Sequence, residues 1–151
     1  MTERGDAVTT GSNARGQKAL FPEVKKIAAV LSRESEQEVV IIVVPSHDKR
    51  KAPLSSQSEW ANAGMTLLAD LYQGATAFAN LKGIFKTEDG HYLHDEPILL
   101  ESYANNADIE DVDKLNQLVR FLKKMGKETD QNTVMVIIGT AFFYITDYSG
   151  A

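Results

Sequence analysis

The most apolar part of the chain is a single short run. Residues 39–44 are six consecutive β-branched aliphatic side chains, with Glu38 before them and Pro45 after them. The run is too short to span a membrane, and it lacks the alternation of polar and apolar positions that marks a strand with one wet face. The pattern therefore predicts a strand in the interior of a sheet, covered on both faces.

Two further stretches repeat apolar residues at helical spacing. The first begins where Ser56 and Glu59 have the spacing of a capping box, which predicts a helix from near Gln57. Gly74 follows this helix and suits the left-handed residue that ends one. In the second stretch the apolar steps are 3, 3, 4 and 3, which predicts an amphipathic helix with Gly126 as its C′ residue. Its apolar positions are Ile109, Val112, Leu115, Val119 and Leu122.

A hairpin is predicted between the two helices. Residues 75–86 have mixed polarity, Asp89-Gly90 is a turn signal, and residues 98–103 begin with an apolar run. These features predict two strands joined by a long, polar tip. The more polar first strand suits the edge of a sheet.

A second hairpin is predicted after the last helix. Residues 133–138 are apolar and β-prone, and Gly139-Thr140 separates them from a second β-prone run, AFFYI. A two-residue turn with glycine first would add a fifth strand. One long strand with a glycine bulge is the alternative.

The order strand, helix, strand, strand, helix, strand predicts the fold class. It is the split β-α-β pattern of a ferredoxin-like βαββαβ two-layer sandwich, an α+β fold with four or five mainly antiparallel strands. In that topology the first and third strands are central. The two most apolar predicted strands occupy those positions, so polarity and element order agree.

The N-terminal region differs in composition from the rest. Residues 1–19 are rich in Gly, Ser, Thr, Asn and charged side chains, which predicts a flexible tail. An extra helix is predicted from Phe21, with Pro22 in its first turn. Residues 20–151 are then long enough for a single domain with its own core.

Composition narrows the function classes. The chain has 151 residues, 43% of them hydrophobic, no cysteine, and a formal net charge of −5. Disulfides and thiolate chemistry are excluded, and a metal would have to use His, Asp or Glu. The acidic balance makes nucleic acid an unexpected partner outside a local basic patch. Without a signal-peptide pattern or an apolar span, a cytoplasmic protein with no membrane contact is the expectation.

Scattered residues also resemble a known pattern. They are Ser56, Glu59, Trp60, Gly74, Ala75, Thr76, Gly83, Asp89, Gly90, Glu96, Gln131 and Val134. Across about residues 56–138 the chain resembles a small bacterial family of uncharacterised ferredoxin-like proteins. The resemblance implies the same fold. Because that family has no established activity, it assigns no role to any residue.

The densest group of metal-binding side chains lies in the predicted hairpin tip. His91, His94, Asp95 and Glu96 offer two imidazoles and two carboxylates within six residues. Such a set can hold a divalent metal that activates water, which would make the protein a metal-dependent hydrolase acting on a substrate such as a phosphoester. On a regular strand, residues three apart point to opposite faces. The alternative is therefore that this hairpin tip is exposed to water and holds no metal.

A basic loop follows the predicted central strand. Residues 47–51 include His47, Lys49 and Arg50, and clustered cations beside a strand end suit a phosphate-bearing ligand. This loop is also the one place where nucleic acid contact is expected. The alternative is that the loop is exposed to water and binds no ligand.

Glu101 is the candidate for acid–base chemistry without a metal. On the predicted third strand it shares a face with apolar neighbours, which can desolvate a carboxylate. Thr76 and Asn80, on the paired strand, are expected on the same face as ligand-binding partners. The alternative is that water covers this face.

The balance of these patterns favours a non-catalytic module. Residues 133–138 include apolar side chains on both strand faces, although two helices can cover only one face of a sheet. A homodimer through the sheet is the simplest cover; the N-terminal helix, a protein partner or a small-molecule ligand are alternatives. No cofactor is predicted for this module, and a divalent metal belongs only to the hydrolase alternative.

Overall fold

The computed structural model describes residues 37–151. They belong to one structural unit, Glu36–Ala151. The tail predicted over residues 1–19 and the helix predicted from Phe21 lie outside the described residues. Within 37–151, no helix has the length and apolar character needed to cross a membrane.

Seven strands and three helices make up the described part of the chain. In order they are β1 (Gln37–Val44), α1 (Gln57–Tyr72), β2 (Thr76–Phe78), β3 (Gly83–Lys86), β4 (Tyr92–Asp95), β5 (Ile98–Asn105), α2 (Asn106–Glu110), α3 (Val112–Glu128), β6 (Val134–Ile138) and β7 (Ala141–Ile145).

The main sheet has the predicted ferredoxin-like topology. Its strand order is β2-β5-β1-β6-β7, and every neighbouring pair is antiparallel. The apolar run of β1 is central, β5 lies beside it, and the more polar β2 forms an edge. The predicted α+β fold class is therefore confirmed, with β7 as the fifth strand.

The tip of the first hairpin contains more structure than predicted. The single strand predicted over residues 75–86 is divided into β2 and β3, and β3 pairs with β4 of the predicted tip in a separate two-stranded ribbon that joins Gly83 to Asp95 and Lys86 to Tyr92. Thr87 and Asp89 close its turn, where the Thr87 amide donates to His91 O at 2.9 Å. The ribbon projects from the sheet because β2 ends at Phe78, where pairing with β5 stops.

The core lies between one face of the main sheet and the helices. Alternate residues of β1, namely Val40, Ile42 and Val44, are fully buried there. Leu68 of α1 and Leu122 of α3 pack into the same core. The intervening residues of β1 are only partly buried. The prediction that both faces of β1 are covered is therefore not met within residues 37–151.

The first helix begins where predicted but ends differently. Ser56 makes no side-chain capping bond, since its ψ of 4° lies outside the extended region from which an N-cap side chain reaches back. The left-handed residue at the other end is Gln73, with φ of 72°, not Gly74. Its amide donates to Ala69 O at 2.8 Å, which closes the helix one residue early.

The start of the second helical region has two caps. Asn105 Oδ1 accepts from the Asp108 amide at 2.8 Å and starts α2. Asp111 Oδ1 then accepts from the amides of Asp113 and Lys114 at 2.9 and 3.1 Å and starts α3. One continuous helix was predicted here. The second cap breaks it in two.

Gly126 lies inside α3 and does not end it, contrary to the prediction. The helix continues to Glu128. The ring of Tyr148 packs against Gly126, and a Cβ placed there would overlap Tyr148 Cε1. Glycine suits position 126 because Tyr148 occupies the space of a side chain.

Tyr148→Phe is expected to stabilise the protein by about 1 kcal/mol, because a buried hydroxyl without a partner carries an uncompensated desolvation penalty. The Tyr148 hydroxyl is buried and has no hydrogen-bond partner among the described residues. Burial also raises the pKa of Tyr148. Urea denaturation of the two proteins measures the difference. A loss of stability in Tyr148→Phe would mean that the hydroxyl has a partner.

The second predicted hairpin is confirmed. β6 and β7 pair through Ile138 and Ala141, and Gly139 has φ of 60° in the two-residue turn. Its amide also donates to Val39 O at 2.8 Å. Because a positive φ at the first turn position strains any residue except glycine, Gly139 favours the hairpin over one long strand.

Candidate functional site

The face of the main sheet opposite the helices is the first candidate site. We call it the open face. Its side chains are Val39, Ile41, Val43, Thr76, Phe78, Leu99, Glu101, Tyr103, Met135, Ile137, Phe142 and Tyr144. Tyr103, Phe142 and Tyr144 are 53%, 59% and 66% exposed among the described residues. The face is almost wholly apolar, with Glu101 as its carboxylate.

A small cavity of about 230 Å³ lies on the open face. Its lining residues are Ile41, Phe78, Leu81, Leu99 and Glu101. The carboxylate is half-buried among these apolar groups, and Tyr103 donates a hydrogen bond to Glu101 Oε1 at 2.8 Å. A carboxylate in this position can bind a cation or accept a hydrogen bond from a ligand.

The two residues predicted to accompany Glu101 have different positions. Thr76 lies directly opposite Glu101 in the β2–β5 register. Asn80 lies beyond the end of β2 with φ of 59° and does not line the cavity. Phe78 and Leu81 occupy the cavity wall instead. The sequence offered no signal for them, because β2 ends earlier than its composition indicates.

Glu101→Ala is expected to lower the pKa of Tyr103. The hydrogen bond to Glu101, and then the repulsion between that carboxylate and a tyrosinate, hold the pKa of Tyr103 above its ordinary value of 10.0. The stabilisation that this contact adds is therefore present below pH 10 and lost as the pH rises further. Tyrosine carbon chemical shifts followed by NMR measure the change. An unchanged Tyr103 titration in Glu101→Ala would show that the hydrogen bond does not form in solution.

A larger cleft lies at the end of β1. We call it the ribbon cleft, because the β3–β4 ribbon forms one wall, residues 47–51 form another, and residues 131–133 close it. Its volume is about 620 Å³. His47 and Lys49 meet His94 and Asp95 there, although the two pairs are far apart in the sequence.

Other predicted residues lie outside this cleft. Arg50 and Glu96 are exposed and do not line it. His91 is in the ribbon turn, where its Nε2 lies 3.7 Å from Asp89 Oδ2. Within residues 37–151, no three His, Asp or Glu side chains converge in a way that could hold a metal ion. The predicted set of His91, His94, Asp95 and Glu96 is thus not brought together.

A buried serine connects the ends of β1 and β4. The Ser46 hydroxyl donates to Asp95 Oδ1 and accepts from the Glu96 amide at 2.9 Å. It also lies 2.7 Å from Nδ1 of His47. Sequence reasoning missed this contact, because Ser46 and Asp95 are 49 positions apart and neither lies in a recognisable motif.

Comparisons with known proteins add a likeness in structure. No family model and no curated protein matches the chain. A phage SAM lyase in complex with S-methyl-5′-thioadenosine superposes with a TM-score of 0.53 at 11% identity, covering 81% of this chain and 98% of that one. The likeness is one of fold.

Two further solved structures are similar. The apo state of a phage SAM lyase gives a TM-score of 0.53 at 13% identity, over 78% of this chain and 96% of that one. The divalent cation tolerance protein CutA1 from Thermus thermophilus gives 0.45 at 18% identity, over 68% and 81%. The likeness to the two phage SAM lyase structures is one of fold, and at such identities it assigns no activity.

Proposed function

We propose that the protein is a binding and assembly module in which two copies associate through the open face and the free edge of β7. The observation that carries this proposal is the open face itself. It presents a continuous apolar surface, and residues 37–151 provide no helix to cover it. Surfaces of this kind mark interaction sites.

The edge strand supports a second copy as the partner. Edge strands of monomers usually carry a lysine, a proline or an inward-pointing charge that blocks pairing. The five residues of β7, AFFYI, include none of these. An uncharged, aromatic edge is suited to pairing with another strand.

The hydrogen-bonding groups of β7 support the same partner. Ile138 and Ala141 flank a two-residue turn, and hydrogen-bonded pairs alternate along an antiparallel ladder. The backbone groups of Phe142 and Tyr144 therefore point away from β6. In a two-fold dimer, β7 would pair with its own copy, which would place the Phe142 and Tyr144 side chains of the two copies side by side at the contact.

Sedimentation velocity of the full chain tests the proposal. We expect a dimer at about 50 μM, with a monomer fraction that grows on dilution, as for an association of micromolar affinity. A monomer at every concentration would overturn the proposal. It would favour a cover supplied by the chain's own residues 1–36 or by another protein.

A lyase acting on S-adenosylmethionine is a second candidate function. The favouring observation is the open-face cavity, where apolar walls surround the Glu101 carboxylate. That combination suits a sulfonium ion, a cation with apolar substituents. The fold likeness to a phage SAM lyase holding S-methyl-5′-thioadenosine adds support.

The chemistry would be an elimination. Glu101 would take a proton from the carbon adjacent to the one bonded to sulfur. A double bond would form between these two carbons, and the electrons of the breaking carbon–sulfur bond would pass to sulfur as the neutral thioether leaves. Chromatography after incubation with S-adenosylmethionine should detect S-methyl-5′-thioadenosine from the parent and not from Glu101→Gln. No thioether above a protein-free control would exclude this candidate.

Metal-dependent hydrolysis remains a prediction from the sequence. His94 lines the ribbon cleft, whereas His91 lies in the ribbon turn beside Asp89. The geometry of residues 37–151 therefore favours the open face over the hairpin tip as the place where the protein acts.

A further inference from the structure

The ribbon cleft has a wall fixed by its own hydrogen bonds. Asp48 Oδ1 accepts from the amides of Arg50 and Ala52 at 2.8 and 2.9 Å. The Leu54 amide donates to Ser46 O at 2.8 Å, and His47 forms a β-bridge with Pro53. The loop is thus a small closed hairpin, and its shape is set before any ligand arrives.

The opposite side of the loop is anchored as well. Gln131 donates from Nε2 to His47 O at 2.8 Å. Lys49 forms an ion pair with Asp130, with 2.7 Å between Nζ and Oδ1, and its amide donates to Asp130 O. These contacts join the loop to the segment after α3 and hold the cleft open at about 620 Å³. That volume lies in the range of small-molecule sites.

The hydrogen bonds of Ser46 assign the tautomer of a neutral His47 ring. A serine hydroxyl has one proton, and Ser46 donates it to the Asp95 carboxylate. In the 2.7 Å contact between Ser46 Oγ and His47 Nδ1, the ring nitrogen must therefore be the donor. Nε2 of the neutral ring is then an acceptor, and no described residue hydrogen-bonds it. His47 can accept a hydroxyl or amino hydrogen from a molecule in the cleft.

Lys51 supplies a cation to the wall of the cleft. Among residues 37–151 no carboxylate lies within 4.0 Å of its ammonium group, although its charge acts on the nearby Asp89 carboxylate. Its φ of 66° is a left-handed conformation in which glycine would be less strained. The lining carboxylates, Asp48 and Asp95, are hydrogen-bonded by protein donors, and Lys49 is paired with Asp130. Lys51 is therefore the group of the cleft that can contact an anion.

One aromatic ring of the ribbon is on the side of the loop after β1. Phe85 shares a ribbon face with Asp95, which contacts Ser46 and His47, whereas Tyr92 is on the other face beneath the ammonium group of Lys86. Phe85 lines the cleft and is 67% exposed among the described residues, so it provides a flat surface on which a planar ligand group can stack.

We propose that the ribbon cleft binds a nucleoside monophosphate, with Lys51 contacting the phosphate, His47 Nε2 accepting from a ribose hydroxyl or a base amino group, and Phe85 stacking on the base. This site is distinct from the open face and does not depend on assembly. A nucleoside monophosphate is the class of ligand that combines an anion, a hydrogen-bond donor and a flat ring.

Calorimetric titration of the full chain with adenosine 5′-monophosphate tests the proposal. We expect binding with a dissociation constant below about 1 mM, and binding weaker by about tenfold for adenosine alone and for inorganic phosphate alone, since each supplies part of the contacts. No binding of the nucleotide at about 5 mM would overturn the proposal. Inorganic phosphate binding as tightly as the nucleotide would overturn the role of the ring.

Two loop variants separate a specific site from general charge. Lys51→Gly should weaken nucleotide binding about tenfold while leaving the urea midpoint unchanged or higher, because glycine relieves the left-handed backbone. Arg50→Ala removes a cation from the same loop, but Arg50 does not line the cleft, so it should bind as the parent does. If both variants weakened nucleotide binding equally, the proposed site in the ribbon cleft would be contradicted.

Discussion

Phe142→Asp is expected to convert the full chain from dimer to monomer at about 50 μM. Phe142 lies on the open face, 59% exposed among the described residues, on the strand proposed to pair with its copy. By two-fold symmetry the variant would replace two neighbouring apolar rings at the β7 contact with two carboxylates. The lost apolar contact and the repulsion between like charges should raise the dimer dissociation constant by at least about 100-fold. Sedimentation velocity across a dilution series measures the shift.

Phe85→Asp is the matched control for that result. Phe85 is also an exposed phenylalanine on a strand, but it belongs to the β3–β4 ribbon and not to the open face. We expect Phe85→Asp to remain a dimer. A dimer in Phe142→Asp, or equal dissociation of both variants, would contradict assembly through the open face.

Gly64→Val is expected to destabilise the protein by about 3 kcal/mol. Gly64 is buried in α1, and a Cβ placed there would come within 2.5 Å of Leu100 Cδ1 and 3.2 Å of Phe121 Cζ. Leu100 is fully buried in the central strand β5, so it has little space into which to move. The added side chain must push the helix away from the sheet. Urea denaturation followed by circular dichroism measures the loss.

Gly74→Val is the control for Gly64→Val. No heavy atom lies within 4 Å of a Cβ placed on Gly74, and its φ is not positive. We expect a change of less than about 1 kcal/mol there. If Gly64→Val does not fold, Gly64→Ala should still show an intermediate loss. Equal stability of the position-64 and position-74 variants would mean that α1 does not approach the sheet so closely.

The sequence was sufficient for the architecture because the decisive signals are local. Residues 39–44 are apolar without interruption, and that property predicts the central place of β1 that the sheet order confirms. Gly139 likewise predicts the second hairpin, because few other residues accept its φ of 60°. Periodicity and turn chemistry depend on neighbours a few positions apart, so a single chain reveals them.

Contacts between distant segments could not be predicted in the same way. The hydrogen bond of Ser46 to Asp95 joins the loop after β1 to the end of β4, and it depends on where the ribbon lies relative to the sheet. The burial of Gly126 against Tyr148 likewise depends on where the C-terminal segment packs. A glycine that ends a helix and a glycine that admits a ring look alike in a sequence. Only the fold distinguishes them.

The sequence predicted part of the open face but not the ribbon cleft as a unit. Glu101 and Thr76 were expected to share a face, and they lie opposite each other. Apolar residues on both faces of the penultimate strand also predicted a sheet face that needs a cover. The ribbon cleft was not predicted as a unit, although His47, Lys49, His94 and Asp95 were each named, because their meeting requires the loop after β1 to fold back against the ribbon.

An isotope-filtered NMR experiment on a mixture of labelled and unlabelled full-length chains tests assembly through the open face most directly. Association through β7 predicts nuclear Overhauser effects from the Phe142 and Tyr144 rings of a labelled chain to protons of an unlabelled chain. If these rings show effects only to their own chain, including residues 1–36, or show no contact beyond β6, a second copy does not cover the open face.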